Sequence, residues 1–246
     1  MEGTTEVTAR ALPARYLPLT YGAVFATALT FTALRLLGIP YDRAAGALGL
    51  RDLPLFRVAV YSVWAAVTAL VLTWLLRRQG LTAADLGWRR PERSRALAAV
   101  VVATLAAIAL WPPVEALNRT LGIHTYWSPG QTGFVRPMSA WEFVVAGLAG
   151  LVLVPPAEET VFRGYALPVL RARLGPAAGL VAHNALFALY HAAVGPGLTV
   201  YIFFWSFAPA LLFLRLRSVL PGLAMHVLNN AFVDLLLPAL LAPPGR

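Results

Sequence analysis

The stretch Leu174-GPAAGLVAHNALFALYHAAVGPGLTVYIFFWSFAPALLF-Leu214 runs for 41 residues without Asp, Glu, Lys or Arg. A helix needs about 20 apolar residues to cross a bilayer, so this stretch has room for two spans. Three further gaps, Tyr16–Leu34, Val58–Leu76 and Ala96–Val114, are each 19 residues free of charge. The whole 246-residue chain agrees: 59% of it is hydrophobic and only 13% charged, about half the charge of an ordinary soluble domain. That little charge cannot cover the surface of a soluble globule of this size. The sequence therefore predicts an all-α, polytopic integral membrane protein.

Seven spans are expected, at roughly 17–37, 57–76, 96–114, 141–170, 177–194, 197–214 and 219–241. Without an internal repeat or a low-complexity linker, residues 1–246 read as one domain. The polar first 15 residues precede an apolar run, which reads as a first anchor and not as a cleaved signal peptide. The net charge of +9 comes from 20 arginines, with no lysine, against 11 acids. A basic excess can mean nucleic acid, but here the arginines sit at the ends of apolar runs, where they orient spans in a lipid bilayer. Twelve lie on one side (Arg10, Arg15, Arg77 to Arg95, Arg171, Arg173, Arg215 and Arg217) and six on the other. This bias places the N-terminus in the cytoplasm. Exclusive arginine usage suggests a GC-rich bacterial genome and hence the inner membrane. With zero Cys, disulfides, cysteine nucleophiles and thiolate metal sites are excluded. Gly80–Trp88, just before a basic cluster, reads either as an interfacial segment or as a loop with one short helix.

Polar groups inside the spans are the exception that needs a reason. The fourth span reads Val152-LVPPA-Glu158-Glu159-TVF-Arg163-GYAL-Pro168, two adjacent carboxylates in an apolar run. Ionisable groups in a membrane cost several kcal/mol each and face a bundle interior or a wet cavity. Pro155 and Pro156 suit the first turn of a new helical segment. Glu159 and Arg163 stand i,i+4 with the acid first, the favoured pairing order. Glu158 has no local cation, which suits a general base working near neutral pH. In the next span, His191 and Glu158 are equidistant from the Arg171–Pro176 turn. An antiparallel hairpin then sets both at the same depth, on the order of 20 Å from the turn. His183, two turns nearer that turn, reads as structural. In the last span His226 and Asn230 are i,i+4 and share a face, and both can donate to an oxyanion. Asp234, Asn229 and His124 read as solvated or packing residues. Glu158, His191, His226 and Asn230 thus converge from three helices. There is no Gly-x-Ser-x-Gly frame and no His-Glu-x-x-His signature. Water activated by an acid and a histidine remains, which is peptide hydrolysis without a covalent intermediate.

At these residues the chain resembles the CAAX-protease and bacteriocin-processing (Abi) family of intramembrane endopeptidases. The pattern Glu-Glu-x-x-x-Arg stands here as Glu158-Glu159-Thr-Val-Phe-Arg163, followed by Gly164. Phe-x-x-x-His is Phe187 to His191, and His-x-x-x-Asn is His226 to Asn230. Each is weak alone; three in order, each in a membrane span, are specific. The resemblance covers about residues 140–235, the last four spans, with Gly80–Arg90 also similar. It implies that Glu158 and His191 activate water and that His226 and Asn230 form the oxyanion site. It also implies that Glu159 and Arg163 pair to orient the catalytic glutamate, with Phe187 packed beside the site. His183 departs from the small or hydroxyl residue common at that place.

The resemblance implies no obligatory cofactor, although one carboxylate, two imidazoles and an amide could hold zinc. The expected partner is a membrane-associated protein or peptide substrate, processed in CAAX-type, bacteriocin-type or sorting-tag fashion. No nucleic-acid partner is expected. Two other classes fit the polar cavity: a non-catalytic scaffold or immunity protein, and a small transporter with a proton relay. Transport would favour inverted repeats, which the sequence lacks.

Overall fold

The computed structural model describes residues 12–51, 53–91, 93–123, 139–192 and 196–236. Among these, every regular element is helical. A 3-10 segment, Ala14–Tyr21, leads into α1 (Gly22–Leu36), followed by the short α2 (Tyr41–Ala47) and the long α3 (Leu53–Arg77). After a one-turn 3-10 helix, Ala83–Leu86, come α4 (Arg93–Ala109) and α5 (Trp111–Thr120). The fourth span is one continuous rod, Ala140–Leu174, made of α6 (Ala140–Gly147), α7 (Val154–Glu158) and α8 (Leu167–Leu174) joined by π-helical stretches. Then follow α9 (Pro176–Tyr190), α10 (Pro196–Trp205), α11 (Phe207–Leu216) and α12 (Val219–Asn230).

Five helical stretches are long and apolar enough to cross a membrane: Ala14–Leu36, Leu53–Arg77, Ala96–Thr120, Ala140–Leu174 and Pro196–Leu216. Their outward faces are apolar too, with Leu29, Leu70 and Leu105 between 61% and 69% exposed. Such a surface suits lipid and not water. The remaining two expected spans are shorter apolar helices among the described residues, and the last of them, expected to run to 241, continues past those residues. Helix α9 has 15 residues, about 22 Å at 1.5 Å each. The last apolar helix covers Val219–Val233. Both carry many buried residues and pack within the bundle, α9 on α8 and α10, α12 on α4 and α11.

Pro155 and Pro156 sit in the first turn of α7, as expected, but the helix does not restart there. It passes through them with π geometry before and after, at Leu148–Leu153 and Glu159–Ala166. Proline deprives the preceding turn of donors, and wide π turns are one way a helix absorbs that loss. The second wide stretch carries Glu159 and Arg163, both fully buried in the bundle interior.

Gly80–Trp88 is a folded loop with one short helix. Asp85 accepts from the Thr82 amide at 2.6 Å and from its hydroxyl at 2.7 Å, closing a capping box, and Gly87 turns the chain with φ +80°. Leu81 and Leu86 are buried. The loop is pinned to the α11–α12 turn, where the Val219 amide donates to Gly87 O at 2.9 Å and the Ser218 hydroxyl to Arg89 O at 2.6 Å. Trp88 reaches the fourth span and donates from Nε1 to Thr160 Oγ1 at 3.1 Å. His124 and the side chain of Asp234 lie outside the described residues, as do several of the arginines counted for orientation.

The hairpin of α8 and α9 fixes the depth of the polar groups, and Gly179 lets it close. A Cβ at Gly179 would stand 2.5 Å from Arg171 Cα and 2.6 Å from Arg171 N. Backbone on backbone cannot yield as a side-chain tip can, and overpacking of this kind costs about 1–3 kcal/mol. Gly179→Ala is therefore expected to lower the thermal unfolding midpoint in detergent by several degrees, whereas Gly46→Ala, with open space around it, should leave the midpoint unchanged.

Candidate active site

Two adjacent glutamates bring the site together, and each takes a different set of partners. Glu159 is fully buried and holds two groups on one oxygen. Arg163 Nη1 donates to Glu159 Oε1 at 3.1 Å, the i,i+4 pair expected from the sequence. His226 Nδ1 lies 3.0 Å from the same oxygen, a contact from α12 that the sequence did not announce. Arg163 is also fully buried, its guanidinium 4.1 Å above the Phe187 ring centroid and 5.6 Å from that of Trp205. An aromatic face recovers part of what an arginine loses when it leaves water. Phe187 thus packs beside the site, as expected.

Glu158 faces the two histidines. His191 Nε2 is 3.9 Å from Glu158 Oε1, so the hairpin does set these residues at one depth. His226 Nε2 is 3.9 Å from Glu158 Oε2. Ring orientation follows from the other nitrogen in each case. His191 Nδ1 lies 2.9 Å from Phe187 O, one turn back, and a carbonyl only accepts, so Nδ1 carries the proton. Its Nε2 then presents a lone pair toward Glu158. Two acceptors 3.9 Å apart, neither donating to the other, form a seat for a water that donates to both. Among the described residues Glu158 Oε2 and Glu159 Oε2 are buried without a hydrogen-bond donor.

Asn230 shares the α12 face with His226, but its amide nitrogen donates to Gly150 O at 3.0 Å, in the π stretch of the fourth span. Asn229 is buried and its Nδ2 is 3.5 Å from Asn230 Oδ1. His183 is fully buried, 2.9 Å from Asn184 Oδ1 through Nδ1, with its ring against Phe162. It lies in the packing beneath the site, as read from the sequence.

Two neighbours were not foreseen. Tyr61, from α3, donates its phenol proton to Glu158 Oε1, and its ring meets Tyr190 edge-on at 5.8 Å. Trp205, from α10, stands edge-on to His226 at 4.9 Å. An uninterrupted apolar span with one tyrosine gives no local signal of where that hydroxyl goes. Trp205 was legible only as one more aromatic in a membrane segment.

Residues 140–232 match the family model of type II CAAX prenyl endopeptidase Rce1-like proteins. The resemblance carried by the three motifs is thereby borne out. The match supports intramembrane endopeptidase activity in general, and with the apolar helices it marks an integral membrane protein. No curated protein and no solved structure matches the chain. The matched segment begins at α6, so α1 to α5, with Tyr61 and Trp88, lie before it.

The buried pair generates a stability prediction. Removing one partner of a buried ion pair costs about 3–5 kcal/mol, because the other charge is stranded. Arg163→Met should destabilise the protein by that order in detergent unfolding. The double variant Glu159→Gln with Arg163→Met should recover much of the loss, since neither member of the pair then leaves the other's charge stranded.

Proposed function

We propose that the protein is an intramembrane endopeptidase that hydrolyses a peptide bond of a membrane-associated protein or peptide. The observation that carries this reading is the carboxylate of Glu158 with an imidazole Nε2 at 3.9 Å from each of its oxygens. Water seated between Glu158 and His191 gives up a proton to this pair as its oxygen attacks the scissile carbonyl. The carbonyl oxygen takes the negative charge, and collapse of the tetrahedral intermediate breaks the C–N bond. The abstracted proton goes to the departing amine.

His226 and Asn230 are assigned to the oxyanion. With Nδ1 held by Glu159, His226 turns its Nε2 edge toward the site. Asn230 has a second amide hydrogen beyond the one given to Gly150 O. Arg163 holds Glu159 in place for His226, so the pair acts through the histidine. Tyr61 occupies Glu158 Oε1 and turns the carboxylate plane toward the two rings.

A zinc-dependent version would draw on the same carboxylate and imidazoles. Among the described residues, however, no group of three or more His, Cys, Asp or Glu is arranged to hold a metal ion. Our reading assigns the water to Glu158 and His191 directly. The arginine bias supports a cytoplasmic N-terminus, and so does the contact from Arg89 Nε to Arg217 O, which puts two basic turns at one end of the bundle.

The test compares wild type with Glu158→Gln and His191→Ala, each purified and shown to be folded, on a membrane-proteome peptide library with new termini read by mass spectrometry. Loss of a positioned acid–base group costs about 10²–10⁴ in rate. New termini from wild type alone, undiminished by a chelator, are the expected result. Cleavage that survives in both variants would overturn the assignment, and cleavage abolished by the chelator and restored by zinc would overturn the metal-free form. Against a peptide found in this way, Tyr61→Phe should lower kcat about tenfold and leave KM nearly unchanged, the order expected for one hydrogen bond to a charged group.

A further inference from the structure

A second cavity lies outside the site, on the far side of Trp205. It is a groove of about 720 Å³ between α4 and the α10–α11 rod. Ala99, Ala103 and Ala106 form its α4 wall, and Leu211 with Trp205 much of the other. At one end stands the exposed guanidinium of Arg215. The groove follows the helices, because Trp205 and Arg215 are ten residues apart along the rod, about 15 Å. Trp205 closes the inner end, where its indole Nε1 is buried with no acceptor among the described residues.

The chemistry of this lining selects its occupant. A peptide would need partners for each backbone group inside the membrane, and the groove supplies one N–H. A neighbouring helix is about 10–12 Å across and would rest on the rim without filling the cavity. A hydrocarbon chain asks for apolar contact alone and fits lengthwise. Arg215 adds the sign of the charge at the open end, beside the basic turns of Arg89 and Arg217. That end belongs to the headgroup layer, where each arginine attracts anionic lipid.

We propose that the groove between α4 and α11 binds one acyl chain of an anionic phospholipid, with its headgroup on Arg215 and its chain end against Trp205. The binding is independent of the hydrolytic assignment. It also sets a lipid against Trp205, the ring that stands edge-on to His226.

The experiment uses the full-length protein, stripped of lipid in detergent and titrated with phosphatidylglycerol or phosphatidylcholine, and reads bound lipid by native mass spectrometry. Wild type should retain one phosphatidylglycerol per chain in preference to phosphatidylcholine. Arg215→Ala should weaken that retention about fivefold and erase the preference. Ala103→Trp, which fills the groove, should abolish retention of both lipids, while Arg77→Ala, at the end of α3, should change nothing. If Ala103→Trp does not fold, the exposed Arg215→Ala decides alone. Equal retention of the two lipids by wild type, retention untouched by Arg215→Ala, or a dimer in place of a lipid adduct would each overturn the proposal.

Discussion

Two carboxylates, adjacent in sequence and buried in an apolar bundle, govern the rest of this structure. Glu159 cannot stay charged there alone, and it is answered by one fully buried arginine and one histidine on a single oxygen. Those answers commit three elements at once. The fourth span must bring Arg163 round by one turn, α12 must present His226, and Phe187 with Trp205 must cover the guanidinium. Only when Glu159 is satisfied does Glu158 stand free to face both imidazoles. A buried ion pair and a carboxylate set against two imidazoles are thus made from the same residue type, one step apart, by what surrounds each.

Close backbone approach is the means by which the bundle reaches this geometry. Gly179 admits α8 to α9. Gly222 lies opposite Glu159, where a Cβ would stand 2.9 Å from Oε2. At Gly164 a Cβ would stand 2.5 Å from Leu86 O, which lets the Gly80–Trp88 loop seat against the second π stretch. The glycine that follows the Glu-Glu-x-x-x-Arg pattern therefore has a local physical reason.

The sequence revealed what is written along one helix or across one short turn. Glu159–Arg163 follows from i,i+4 spacing, and Glu158–His191 from counting outward from a tight turn. The membrane character follows from the charge gaps. The fifth expected span came out short because composition measures apolarity and not length: 41 uncharged residues hold one full crossing, α10–α11, and the 15-residue α9. The contacts that complete the site join elements far apart in the chain. Tyr61 to Glu158 spans 97 residues, and His226 to Glu159 spans 67. No periodicity carries such information. Gly80–Trp88 offered no local sign of its partners either, since the groups that hold it, Thr160, Ser218 and Val219, lie far along the chain.

Tyr61 also bears on how separable this molecule is. The stretch that matches the family model starts at residue 140, yet the donor on its first carboxylate comes from a helix that ends at Arg77. The boundary of the matched stretch and the boundary of the contact network around Glu158 are therefore different lines. A graft of the matched stretch onto foreign anchoring helices would carry all three motifs intact and still leave Glu158 short of a donor. Any transplant that is to keep the arrangement must bring α3 with it.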